Sequence, residues 1–332
     1  MAQNFENWED IPSFPDAEAE LKKIQKGLHR QKLKTVLISL ISAAVLVLVS
    51  IYGIIPAVEK CYPTPYEHHL RETLIAYYEL KHPGKTISIT YGKNGFASYD
   101  LFLTRMDTVS GEKDILHGTL TRGKLELDIP FYDRDLEEAY LWSAFDHPDD
   151  VWYRFREDRM EKLQELPEYI TVKAVVLFPE DLNMSQVMEL DYKYRLDRIN
   201  VDLHWLAVRC CDKDEENPLP TFGFSTRPNG SLDLNEQYPE LFLYNTEIDG
   251  SHMEQHFKSL LQFSIDQVEK DLGIIYRRGN ESLYQMALTY VEENGVYTYG
   301  GLVTGTPSGL LQLLEDGIIE NLILTDAWID VS

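Results

Sequence analysis

The chain has 332 residues, room for one large domain or two ordinary ones, and its 44% hydrophobic and 26% charged residues exclude wholesale disorder. Fifty-five acidic residues against 31 basic ones give a formal net charge of −24, which argues against a nucleic-acid-binding surface. Residues 1–34 carry six charges of each sign and residues 35–58 none, so residues 59–332 hold the whole deficit.

The N-terminal head begins with Phe5, Trp8, Ile11 and Phe14, and Pro12 and Pro15 deny a long helix there. A short segment cannot enclose a partner, but it can lay a few anchors into a groove. Aromatic anchors dominate small interfaces, so these four residues form a candidate partner-binding set. The competing reading is a tail whose aromatics rest on a membrane surface. From Asp16 the pattern predicts a helix with Leu21, Ile24 and Leu28 on one face.

The neutral stretch Thr35 to Val58 contains fourteen Leu, Ile or Val residues. Their insertion preference amounts to on the order of −6 kcal/mol before the Ser and Pro penalties. As a helix it is about 36 Å long, enough to cross a hydrocarbon core of about 30 Å. A cleaved signal peptide fits less well, because 34 residues precede the run and Ile55-Pro56-Ala57 is a poor cleavage site. All six basic residues of the head lie between Lys22 and Lys34, without an acid among them. The positive-inside rule then predicts a cytoplasmic N-terminus and an outer body, with the basic run drawn to the anionic inner leaflet.

The body opens with a predicted helix at about 66–80, striped by Tyr66, Leu70, Leu74, Tyr77 and Tyr78 and ended by His82-Pro83-Gly84. Alternation at Ile87, Ile89 and Tyr91, at Tyr99, Leu101 and Leu103, and at Leu125, Leu127 and Ile129 predicts strands. Turns are expected at Lys93-Asn94-Gly95 and Arg122-Gly123. A charged helix is expected at about 151–165. Then come a strand at Ile170–Phe178 broken by Pro179, a short helix capped by Ser185, and a strand at Ile199–Arg209 with Val201, Leu203 and Trp205 on one face. Helices at 251–272 and 281–294, a strand at Val296–Val303, a helix at 307–315 with Thr306 as its cap and Pro307 at its first position, and a strand at Ile318–Leu324 complete the body.

The fold class expected is a single-pass membrane protein, one N-terminal transmembrane helix with an α+β extracytoplasmic region. Its parts are a head at 1–34, a span at 35–58, a juxtamembrane α/β-rich region at 59–165 and an α+β C-terminal domain at 166–332. Cys61, Cys210 and Cys211 imply no disulfide framework. Adjacent cysteines bridge only under strain, and Cys61 pairing with either stays open.

Catalytic signatures are missing: there is no Walker loop, no G-x-S-x-G elbow and no H-E-x-x-H, so no catalytic, cofactor-binding or metal residue is assigned. His68, His69 and Glu72 read as a solvated helix face. The acidic groups Asp146, Asp149, Asp150 and Asp212, Asp214, Glu215, Glu216 read as wet loops without the glycine and final glutamate of a calcium loop.

Two stretches resemble the sigma factor regulator family of bacterial membrane proteins. The basic run and span, from Lys22-Lys23-Ile24 through Arg30-Gln31-Lys32-Leu33-Lys34 to Leu40, resemble its N-terminal region. Residues 160–328 are similar to its C-terminal domain. They carry Leu166-Pro167-Glu168-Tyr169-Ile170, Asn200 through Val208, Phe222-Gly223-Phe224, and Tyr299-Gly300-Gly301 through Pro307. The resemblance implies a single-pass anti-sigma factor that holds an extracytoplasmic-function sigma factor, either itself or as an accessory to a second membrane subunit, and responds to the envelope through its outer domain. Its partners would be that sigma factor and the lipid bilayer, with no direct nucleic acid and no cofactor. Many anti-sigma factors carry a His-x3-Cys-x2-Cys zinc motif. This head has one histidine, His29, and no cysteine, which excludes it. The alternative function is an envelope-sensing or ligand-binding membrane protein with no sigma partner.

Overall fold

The computed structural model describes residues 15–62, 69–122, 124–127, 156–196, 200–213, 215, 218–227, 236–243, 248–269 and 280–329. The chain divides into a unit ending at Tyr62 and a second unit beginning at Pro63.

In the first unit the basic run and the uncharged run that follows it form helix α1 (Pro15–Val49), a π-helical turn at Ser50–Ile54 and helix α2 (Ile55–Glu59). Pro56 has no N–H to give to the preceding turn. The wider turn takes up this interruption, with the Ile55 N–H reaching back to the Ser50 carbonyl. Leu37, Leu40, Ile41 and Leu46 leave more than half of their surface uncovered. Residues Glu20–Glu59 are thus a helix long and apolar enough to cross a membrane.

The second unit holds two antiparallel sheets. The first is a meander of β1 (Lys85–Gly95), β2 (Ser98–Asp107), β3 (Lys113–Thr121) and β4 (Lys124–Leu127), in that spatial order. Its inner face carries Ile87, Leu101, Leu103, Leu116, Leu120 and Leu125, while Phe102 and Ile115 are exposed on the other. The expected Asn-Gly turn is displaced. Gly95 still pairs with Ser98, and Phe96-Ala97 make the connection, with Ala97 at φ 45°. Strand β3 was not expected, because the adjacent Ile115 and Leu116 blur the alternation that Leu116 and Leu120 would otherwise show.

The second sheet runs β7-β6-β8-β5-β9, built from β5 (Ile170–Asn183), β6 (Val201–Val208), β7 (Phe222–Ser225), β8 (Tyr297–Gly305) and β9 (Asn321–Ile329). Around it lie α3 (Leu70–Lys81), α4 (Arg156–Glu165), α5 (Met184–Leu196), α6 (Gly250–Glu269), α7 (Asn280–Asn294) and α8 (Pro307–Glu315). Pro179 does not end β5. It falls in the gap between Leu177 and Leu182, where the ladder to β8 shifts register and no N–H is required. Asn183, not Ser185, caps α5. Its side chain accepts from the Gln186 N–H and its own N–H donates to the Gln186 side chain, both at 2.9 Å, the reciprocal pattern of a capping box. Thr306 caps α8 as expected, accepting from the Gly309 N–H at 3.2 Å behind Pro307.

Strand β6 departs most from simple alternation. A register shift between Leu203 and Trp205 sends these two residues to opposite faces. Leu203 joins the main core, which runs through Leu74 and Tyr78 of α3, Leu101 and Leu120 of the first sheet, and Phe224, Phe257, Tyr284 and Leu310. Trp205 joins Val175, Leu177, Leu302 and Ile323 on the other face. Gly223 lies directly against the Trp205 ring, where a Cβ would overlap it, which accounts for the glycine in Phe222-Gly223-Phe224.

Two polar clusters fasten the layers. The first is at Glu79 on α3. Its Oε1 accepts from the Ser225 N–H of edge strand β7 at 3.1 Å and lies 2.9 Å from His256 Nε2 on α6, and its backbone carbonyl accepts from the Trp205 indole at 2.7 Å. Helix α3 thereby satisfies an outward-facing N–H of the sheet edge. His256 Nδ1 lies 2.8 Å from the Glu240 carbonyl, an acceptor only, so Nδ1 donates there.

The second cluster is at Asp107, at the end of β2. Its Oδ2 accepts from Lys173 of β5 at 2.7 Å and from Lys85 of β1 at 2.8 Å, and its Oδ1 accepts from the Val109 and Ser110 N–H groups. The Lys173 and Asp107 side chains are only 3% and 6% exposed. Burial by itself would raise the Asp107 carboxyl. The hydrogen bonds from Lys173 and Lys85 outweigh it and hold the carboxyl far below the usual carboxylate range.

Cys61 is exposed, Cys210 and Cys211 are buried just past β6, and all three are free thiols. Burial raises the Cys210 and Cys211 thiols, which suits packing rather than reactivity.

Removing the shared carboxylate should cost more than removing one lysine. Asp107→Asn leaves two buried ammonium groups facing each other and should destabilise the body by about 3–5 kcal/mol, whereas Lys173→Met leaves the Asp107–Lys85 pair and should cost clearly less. Chemical denaturation of both variants, followed by near-ultraviolet circular dichroism, checks the order.

Candidate functional site

The Asp107 cluster shapes the surface beside it. By holding the Val109 and Ser110 N–H groups it fixes the turn after β2, and the Thr108 N–H and hydroxyl both donate to the Gly84 carbonyl. That turn stands against one end of the second sheet, where β5 and β6 begin and β7, β8 and β9 finish. Val109 packs on the apolar cluster around Trp205. Between turn and sheet end, the described residues bound an open groove of about 880 Å³, within the usual range for a small-molecule site.

Each strand supplies a polar group by its place at the end of the ladder. Asp202 of β6 faces Arg227, just past β7, at 3.9 Å. Glu168, just before β5, accepts from the Ser308 hydroxyl at 2.7 Å. The aromatic side chains of Tyr169 and Trp328 lie at the same end, Trp328 pairing with Thr171 across β9 and β5.

His204 is the buried member of the groove. Its Nε2 lies 2.7 Å from the Thr304 hydroxyl, and its Nδ1 is enclosed without a hydrogen-bond partner. Burial pushes its pKa down to about 4, with the charge of Arg227 acting in the same direction and that of Asp202 against it. At neutral pH the imidazole is uncharged, with one nitrogen engaged and one enclosed and unpaired.

The candidate partner-binding residues Phe5, Trp8, Ile11 and Phe14 lie outside the described residues. Of the groups weighed as metal sites, His68, Asp146, Asp149, Asp150, Asp214 and Glu216 also lie outside them. Glu72 sits 4.0 Å from Arg71, and Asp212 accepts from the Tyr290 hydroxyl at 3.3 Å. Among the described residues no three His, Cys, Asp or Glu side chains come together as metal ligands. Gly300 and Gly301 serve the sheet: a Cβ on either would strike the neighbouring strand's carbonyl.

Sequence reading missed the groove and both polar clusters. One signal was present. Lys173 interrupts the run Val172 to Val176, and a lysine inside a fully buried strand needs a charged partner. Nothing local, however, points from Lys173 to Asp107, 66 residues away.

Residues 163–325 match the family model described as sigma factor regulator C-terminal. The chain carries this domain of the sigma factor regulator family, which supports a role in sigma factor regulation and, in general, a sigma factor partner; the family is regulatory rather than catalytic. No curated protein and no solved structure matches the chain. The matched span contains β5 to β8, the first half of β9 and most of the groove wall, while α3, Asp107, the 108–110 turn and Trp328 come from outside it.

His204 gives the body a pH dependence with a definite sign. Its folded pKa of about 4 lies below the ordinary histidine value, so the unfolded chain binds the proton more readily. The stability this represents is complete above about pH 6.5 and is lost as the pH falls toward 4, by up to about 3 kcal/mol. Asp107 stays ionised through that window. Thermal melts of the chain and of His204→Gln should diverge between pH 6.5 and 4, with the flatter profile in the variant. Parallel profiles would remove His204 as the cause.

Proposed function

We propose that the chain is a single-pass membrane regulator whose N-terminal residues face the cytoplasm and hold an extracytoplasmic-function sigma factor inactive, while its body lies outside and responds to the envelope. The observation that carries this reading is the presence, in one chain, of the sigma factor regulator domain at 163–325 and an uncharged helix preceded by the one-sided basic run Lys22 to Lys34. The basic flank supports a cytoplasmic N-terminus and contact with anionic lipid. In this reading Phe5, Trp8, Ile11 and Phe14 form the sigma-binding anchor, directly or beside a second membrane subunit. The body's groove supports a second reading, an envelope-sensing or ligand-binding protein with no sigma partner. Transcription of the sigma regulon separates the two, because only the first reading predicts that deleting the chain changes it.

Topology is tested with intact cells whose walls admit protease. The body should be degraded and a membrane stub containing residues 1–58 retained; full protection of the body would reverse the orientation.

Output is tested at the head. Trp8→Ala should weaken sigma capture by about 2 kcal/mol, roughly 30-fold, and replacing Lys22, Lys23 and Lys26 by Gln should weaken it far less. Co-purification of the sigma factor and reporter activity read both. A silent Trp8→Ala beside a lysine variant that abolishes capture would exclude the aromatic anchor.

A further inference from the structure

We propose that the groove at the end of the second sheet binds an uncharged, polyhydroxylated ligand, a short saccharide, held by Glu168 and Asp202 and flanked by Tyr169 and Trp328. The proposal deepens the sensing role given to the body above by naming its ligand class. It stands on the groove alone and requires no sigma factor.

The chemistry of the lining selects the class. The fixed charges are two carboxylates and one guanidinium, and Asp202 and Arg227 already face each other at 3.9 Å. That leaves no net positive charge to hold an anion, and a chain with a formal net charge of −24 repels anions at longer range. A metal ion has no ligand cluster among the described residues. An apolar ligand would strip water from Glu168, Asp202, Asn200 and Thr306 and return no hydrogen bonds, a costly exchange.

A saccharide meets each of these groups. Its hydroxyls donate to carboxylates and accept from amides and hydroxyls, and its C–H faces rest on aromatic rings. Tyr169 is 66% exposed and Trp328 partly exposed at the same end of the sheet, beside the carboxylate of Glu168. His204, 4% exposed in the groove wall and bonded to the Thr304 hydroxyl at 2.7 Å, keeps the floor between the carboxylates uncharged.

The test uses the full chain in lipid nanodiscs, free of sugar-based detergent. Cellotriose, maltotriose and tri-N-acetylchitotriose are titrated by calorimetry and saturation-transfer NMR, with inorganic phosphate and octalysine as charged comparisons. At least one trisaccharide should bind with a Kd of about 1 mM or tighter. Tyr169→Ala and Glu168→Gln, both at exposed positions, should each weaken it by about 5- to 10-fold with an unchanged melting temperature. Three results would overturn the proposal: no trisaccharide binding at about 10 mM, an affinity unchanged in the Tyr169 and Glu168 variants, or tighter binding of phosphate or octalysine at the groove. Sigma capture by the same nanodiscs is scored separately, so loss of one reading leaves the other standing.

Discussion

The carboxylate of Asp107 is the point through which the body is tied together. One oxygen accepts from two lysines on two different sheets, and the other accepts from the backbone of the turn that follows. Without it, the first sheet would meet the second with two ammonium groups and a turn lacking a cap. With it, the meander's open end is seated on the Trp205 face, and the 108–110 turn becomes a wall of the groove. A buried ion pair of this kind is weak evidence for added stability, since an apolar replacement of similar shape is often as stable. Its value here is geometric: it fixes which end of the meander meets which end of the sheet.

Helix α3 performs a corresponding task at the β7 border of the second sheet. It lies outside the residues matched to the family, yet Leu74 and Tyr78 sit in the common core and Glu79 covers the β7 edge. The regulator domain is thus completed by a helix that comes soon after the apolar helix in the chain. In the proposed topology, any strain on the tether arrives at α3 first, and α3 is joined to sheet and helices by hydrogen bonds rather than by apolar contact alone.

The sequence is most informative where one period persists. The α3, α6 and α7 stripes, the β8 strand and the Thr306-Pro307 start of α8 each follow from a local pattern that packing did not need to override. It is less informative where the chain breaks its own period. The irregularity in β6 that separates Leu203 from Trp205, the gap that lets β5 continue past Pro179, and the adjacent Ile115 and Leu116 in β3 all give a wrong or missing period. The groove was out of reach for a different reason. Its parts come from Thr108, Glu168, Asp202, Arg227 and Trp328, five places in the chain that only the finished sheet order brings to one end. The head anchors remain a matter of composition, since Phe5 to Phe14 fall outside the described residues.

The bonds that α3 makes also set a schedule. Its partners lie far downstream: the Trp205 indole is 126 residues away, the Ser225 N–H 146 and the His256 ring 177. At synthesis rates of roughly 5–20 residues per second, Glu79 waits on the order of 10–30 s between its own appearance and that of its last partner. Through that interval Leu70, Leu74 and Tyr78 have only the first sheet, made by Leu127, to pack against. The nascent chain therefore passes through a period in which its first body helix is half-covered and close behind an apolar segment. Docking of α3 onto the second sheet is obliged to wait for the C-terminal half.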